Sequence, residues 1–151
     1  MFSDADIQFS KEWIKSVYDL KKSLDSWANS NLQDLWDNKF QSSFMQFLLL
    51  IEEEGKTNSE LAKLSGISKQ AMSKIINQLA EMGLIQLIAS QKDKRSATII
   101  LSEKGRYIVQ ETLLRFTTLI AGYRTAINAK DIELSKQTLD LVKVFIKNQN
   151  I

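Results

Sequence analysis

Two short segments hold the side chains whose types and spacing could do chemistry. After Ser68, the residues Lys69, Gln70, Ser73, Lys74 and Asn77 recur at intervals that place them on one face of a helix, with no acid among them. Lysines bond to phosphates. Hydroxyl and amide side chains bond to phosphates or to base edges, where a carboxylate would be repelled. The second segment, Lys92-Asp93-Lys94-Arg95, is basic with a single acid. Both suit contact with a polyanion. Taken alone, each is read equally well as a solvated surface of accidental composition.

Absences narrow the classes of function. The 151 residues include no cysteine and no histidine. Disulfides, thiol switches and Cys-ligated zinc are therefore excluded, as are Ser-His-Asp and Cys-His catalysis. No metal and no cofactor is expected. The five glycines are scattered, so no phosphate-cradling loop is present. A carboxylate-only hydrolase stays open in principle; its candidates, Glu52, Glu53 and Glu54, read better as a solvated charge run. The longest apolar run, Phe47 to Ile51, is far too short to span a membrane. Met1 to Gln8 has neither the basic start nor the apolar stretch of a signal peptide, so the expected location is cytoplasmic, with no membrane partner.

The net charge of +2 says little, but its distribution says more. Residues 1–55 carry five lysines against ten acids, residues 57–106 eight basic residues against four acids, and residues 107–151 six against four. The basic excess lies in the middle third, beside both polar segments.

These segments need elements to position them. The chain has no proline, and its apolar residues fall mostly at helical spacing, so a mainly α protein is expected. A first helix over about Ala5 to Ala28 shows Trp13, Val17, Leu20, Leu24 and Trp27 as a coiled-coil-like seam. A polar connector, Asn29 to Asn38, leads to a second helix from about Phe40 to Glu54, followed by Gly55. Thr57 and Glu60 form a capping box for a short helix, Asn58 to Leu64. The turn Ser65-Gly66-Ile67 follows, and Ser68 caps a fourth helix, Lys69 to Met82. Met72, Ile75, Ile76, Leu79 and Met82 form its buried stripe, opposite the polar face. Two short helices joined by a glycine-containing turn make a helix-turn-helix. Leu84 to Ala89 and Ser96 to Leu101 then read as two strands with the basic tip between them: a wing. Ser102 caps a fifth helix, whose apolar residues run from Val109 to Ile127. The last helix, about Asp131 to Lys147, is apolar nearly all round, which calls for burial on several sides. A partner subunit supplies that more readily than so small a chain.

The runs Ser59-Glu60-Leu61-Ala62, Gly66-Ile67-Ser68, Leu79 to Ile85, Asp93-Lys94-Arg95-Ser96 and Leu101-Ser102-Glu103-Lys104-Gly105 together resemble the MarR (multiple antibiotic resistance regulator) family of winged helix-turn-helix transcription factors. The resemblance implies a homodimer that binds double-stranded DNA, usually as a repressor on a pseudo-palindromic operator. It implies a single domain. Residues 39–106 form the DNA-binding lobe, and residues 1–38 and 107–151 supply dimerisation helices. The fourth helix, with Ser68, Lys69, Gln70, Ser73, Lys74 and Asn77, would enter the major groove. Arg95, steadied by Asp93 and flanked by Lys92 and Lys94, would enter the minor groove. Two departures stand out. Leu87 and Ile88 occupy the end of the first wing strand, where members often carry a basic residue, and the wing has no proline.

Many members also hold a small-molecule effector between the dimer helices and the lobe. Trp13, Tyr18, Trp36, Phe40 and Phe44 are the candidates here, although aromatics at helical spacing are more often plain core. The alternative function is a winged-helix protein-interaction module without specific DNA binding, since fold does not dictate function. The acid-free polar face argues against it.

Overall fold

A computed structural model describes residues 1–36, 40–51, 53–89 and 97–149. The chain divides into two compact units, Met1–Thr112 and Leu113–Ile151.

The first unit opens with α1, Asp4–Asn31. Ser3 and Asp6 cap it reciprocally: the Ser3 hydroxyl accepts from the Asp6 N–H, and the Asp6 carboxylate accepts from the Ser3 N–H at 2.9 Å. The Ser3 hydroxyl and N–H also hold the Asp6 carboxyl below the usual carboxylate range. The helix runs three residues past the expected end at Ala28. Leu32, one turn on, is fully buried, and its N–H still bonds to Ala28 O at 2.9 Å, so burial keeps the polar stretch helical. The second helix, α2, is shorter than expected, Ser42–Leu48 rather than Phe40 to Glu54. The Leu50 and Ile51 N–H groups bond back only three residues, to Phe47 O and Leu48 O, which tightens the backbone and ends the α-helix.

Strand β1 is two residues, Lys56–Thr57, and was not expected. It pairs antiparallel with β3, Ala97–Leu101, which pairs on its other edge with β2, Ile85–Ala89. The sheet order is β1-β3-β2, with Leu87 opposite Ile99. The wing thus has the two expected strands plus a third, short one. Gly55 admits β1 to the sheet edge: its φ is +78°, and a Cβ there would sit 2.7 Å from Ile99 O.

Between β1 and β2 lie α3, Asn58–Ser65, and α4, Lys69–Glu81. Met72, Ile76, Leu79 and Met82 are buried and Ile75 is half-buried, as the helical period predicts. They pack with Phe44, Leu48, Leu61, Leu84, Ile99 and Ile108 in one core. The last described element of this unit is the start of α5, Glu103–Tyr123. Its first turn is clamped to the end of α4. The Ser102 hydroxyl donates to Gly83 O at 2.6 Å, the Lys104 ammonium donates to Met82 O at 2.9 Å, and the Ser102 N–H donates to Leu84 O at 3.0 Å. A cation on the final carbonyls of α4 also complements the negative end of its dipole.

The second unit holds the rest of α5 and α6, Ala129–Gln149. The helix α5 stops at Tyr123, so Ile127 of the expected stripe falls in the turn that follows, half-exposed. Asn128 Oδ1 accepts from the Lys130 N–H at 2.9 Å at the start of α6. No residue of α6 is buried, and Leu141 (72%) and Phe145 (64%) are largely exposed.

Candidate nucleic-acid interface

Helix α4 is positioned by local chemistry at each end of the α3–α4 turn. Thr57 accepts from the Glu60 N–H, and Glu60 accepts from the Thr57 N–H at 2.7 Å. The backbone and hydroxyl of Thr57 hold the Glu60 carboxyl below the usual carboxylate range. Gly66 closes α3 in the left-handed conformation, φ +68°. Ser68 then starts α4 by accepting from the Ala71 N–H at 3.1 Å.

The electrostatics of α4 differ from those of α1 and α3. A helix N-terminus carries partial positive charge and usually welcomes acids in its first turn. Both α1 and α3 follow that preference, with Asp4 and Asp6, and with Glu60. The first turn of α4 has no acid and begins with Lys69. Its positive end is therefore reinforced rather than neutralised, which is the arrangement that accepts a phosphate.

Ser68, Lys69, Gln70, Lys74 and Asn77 are all exposed on α4, or at its cap, as predicted. Ser73 differs. It is half-buried, its hydroxyl donates to Lys69 O at 2.9 Å, and it accepts from the Asn58 amide at 2.6 Å. It lines a cleft of about 340 Å³ shared by the start of α3, α4 and the sheet, with Asn58, Ile76, Asn77, Leu87 and Ile99. Asn58 was not singled out from the sequence. Nothing in its local pattern marks it, since the capping of α3 is complete without it. Leu87 (53%) and Ile88 (48%) are exposed on β2, so the positions where a basic residue was looked for present apolar surface instead. The wing residues Lys92, Asp93, Lys94 and Arg95 lie outside the described residues.

The five aromatics divide. Trp36, Phe40 and Phe44 meet in sequence, the first pair tilted and the second edge to face, with ring centroids 4.8 and 5.9 Å apart, Phe44 within the core of the first unit and Trp36 and Phe40 packed against it. The Trp36 indole N–H donates to the Thr112 hydroxyl at 3.4 Å. Trp13 and Tyr18 are exposed on α1. Glu53 and Glu54 are exposed in the turn after α2, and Glu52 lies outside the described residues. Among the described residues no helix is long and apolar enough to cross a membrane.

Comparison with known proteins gives a consistent picture. Residues 42–96 match the model of the MarR family. The chain is similar to the HTH-type transcriptional regulator TcaR of Staphylococcus aureus strain Newman, 29% identical over 145 residues, 93% of this chain and 91% of that one. Its fold is similar to that of Streptococcus pneumoniae FabT, solved in complex with DNA, with a TM-score of 0.77 at 17% identity, covering 94% of this chain and 98% of that one. The S. aureus MepR–DNA complex aligns with a TM-score of 0.69 at 15% identity, covering 95% and 98%.

Proposed function

From the premise that this chain is a winged-helix protein of the MarR family, we propose that it is a homodimeric, sequence-specific regulator of transcription that binds double-stranded DNA, and not an enzyme. The observation that carries this reading is the face of α4 from Lys69 to Asn77, which is exposed except at the half-buried Ser73 and holds no acid (Glu81 stands one turn further on, at the far end), behind an N-terminus whose positive end no acid neutralises. The role is that of a repressor on a pseudo-palindromic operator. Two-fold docking puts half-site centres about one helical turn, roughly 34 Å, apart. FabT and MepR, of the same fold, have been solved on DNA, which supports the reading. Residues 39–106 act as the DNA-binding lobe. Release by a small molecule belongs to the same reading, with the exposed Trp13 and Tyr18 left as candidates for contact. The exposed Leu87 and Ile88 favour the second reading, a protein-interaction module. Selection of binding sites from random double-stranded DNA tests between them: an enriched inverted repeat supports the regulator, and no enrichment defeats it.

The helix and the wing act differently in this reading. Asn77→Ala removes a side chain aimed at base edges, so it is expected to cost about 1–3 kcal/mol and to relax preference at particular base pairs. Arg95 meets the minor groove, whose pattern is degenerate and whose potential is strongest where A·T pairs narrow it. Arg95→Ala is expected to weaken binding to most sites and flatten any A·T preference beside the half-sites, leaving the half-site sequence intact. Asp93→Ala acts in the same direction but less, because it also removes a negative charge near phosphate. A changed half-site sequence with Arg95→Ala would defeat the wing assignment.

A second copy covers the apolar rows that one chain leaves open: Trp13, Val17 and Leu20 on α1, and, on α6, Leu141 and Phe145 among others. Light scattering is expected to find a dimer at micromolar protein. Deletion of residues 139–151 is expected to abolish both dimerisation and DNA binding. A well-folded truncated chain that still binds an inverted repeat as a dimer would contradict this interface.

A further inference from the structure

We propose that Ser73 reads the operator only as a hydrogen-bond acceptor, and that Asn58 is the positioning residue that enforces this. The inference rests on the DNA-binding reading above and goes beyond it to the kind of base that one residue selects.

A serine hydroxyl has one donor and two acceptor lone pairs. At Ser73 the proton points to Lys69 O at 2.9 Å, and one lone pair takes the Asn58 amide N–H at 2.6 Å. What remains is one lone pair, on a residue that lines the cleft beside the exposed face of α4. The bond to Lys69 O alone is the common back-bond of a mid-helix serine, which a hydroxyl leaves easily by rotation. Asn58 changes that. Its donation takes one of the directions open to the rotating proton and polarises the hydroxyl toward Lys69 O.

The amide has no other reason to lie there. Thr57 and Glu60 already complete the cap of α3, and among the described residues Asn58 Oδ1 is buried without a hydrogen-bond partner. A side chain that leaves one end unpaired while its other end grips Ser73 is held by that grip.

The consequence concerns base edges. In the major groove adenine N6 and cytosine N4 present donors, whereas guanine O6 and N7 and thymine O4 present acceptors. An acceptor-only Ser73 favours adenine or cytosine at one position of the contacted strand and disfavours guanine and thymine there.

Site selection from random double-stranded DNA with the full-length protein tests this. The wild type is expected to show one position per half-site where A or C is favoured over G or T by about tenfold, about 1.4 kcal/mol. Ser73→Ala, which also raises helix propensity and so should fold, is expected to erase the preference at that position alone. Asn58→Ala is expected to reduce it to roughly threefold, because Lys69 O then holds the hydroxyl unaided. The double variant should go no further than Ser73→Ala. Asn58→Ala should relax that one position and no other, whereas a merely structural role for Asn58 would weaken the preference at every position of the half-site alike. The proposal is overturned if Ser73→Ala leaves every preference in place, if the position it affects selects G or T, or if Asn58→Ala alters no position. A wild type that enriches no duplex site overturns the DNA-binding reading itself, and is told apart from those results by the wild-type selection alone.

Discussion

The affinity of the dimer for its operator is expected to fall by about 10³ to 10⁵ as salt rises from about 50 to 200 mM. Lys69 and Lys74 are exposed on the polar face of α4, and Lys92, Lys94 and Arg95 follow in the wing segment. Two copies offer enough cations to neutralise roughly six to ten phosphates, and each neutralised phosphate releases condensed counterions, with a slope of about −0.9 per phosphate. The reinforced N-terminus of α4 works in the same direction. Fluorescence anisotropy of a labelled operator, titrated at several salt concentrations, measures the slope. Lys74→Ala should make it shallower by roughly one for each protomer and weaken binding to all sequences about equally. A flat response would mean that the basic middle third of the chain is not the contact surface.

Gly105→Ala is expected to be strongly destabilising. A Cβ at Gly105 would fall inside the van der Waals shell of Leu84 O and 3.0 Å from the Leu84 carbonyl carbon. Both are backbone atoms, and Leu84 is itself buried in the core, so neither side yields by a rotamer change. The first turn of α5 would have to lift. That movement breaks the bonds from the Ser102 N–H to Leu84 O and from the Ser102 hydroxyl to Gly83 O, which join α5 to the end of α4. Overpacking a core by one methyl typically costs about 1–3 kcal/mol, and the rigid backbone partner puts this case at about 3 kcal/mol or more. For a chain of this length that lowers the melting temperature by roughly 10 °C. Gly122 provides the contrast. It is also in α5, but a Cβ there meets nothing within 4 Å. Gly122→Ala should stabilise by about 0.5–1 kcal/mol, since alanine is the better helix former. Thermal unfolding at equal protomer concentration checks both. A wild-type melting temperature for Gly105→Ala would show that α5 does not sit on the Leu84 backbone as described.

The parts of this protein that the sequence alone determined are those governed by short-range rules. The caps at Thr57 and Ser68 and the left-handed Gly66 each need only a few neighbouring residues, so they were legible, and the ends of α3 and α4 fall within a residue of expectation. The buried stripe of α4 was legible because a 3.6-residue period recurs over enough turns to register. The polar face followed as its complement: Lys69, Gln70, Lys74 and Asn77 are exposed on it, and Ser73 is the exception. What only the tertiary structure decided depends on residues distant in sequence. Two residues of β1 cannot show a period; they form a strand because β3 offers an edge and Gly55 lets the chain approach it. Leu32 extends α1 through asparagines that propensity would have left as a connector, because burial outweighs a few tenths of a kcal/mol per residue. Trp36, Phe40 and Phe44 join the lobe's packing while Trp13 and Tyr18 stay outside it, a division that spacing cannot make. Asn58 reaches Ser73 across fifteen residues, turning a side chain that looked like a free reader into one whose proton is already spoken for. Periodicity reports which face of a helix is polar. The hydrogen-bond partners available to that face are set by the element folded against it.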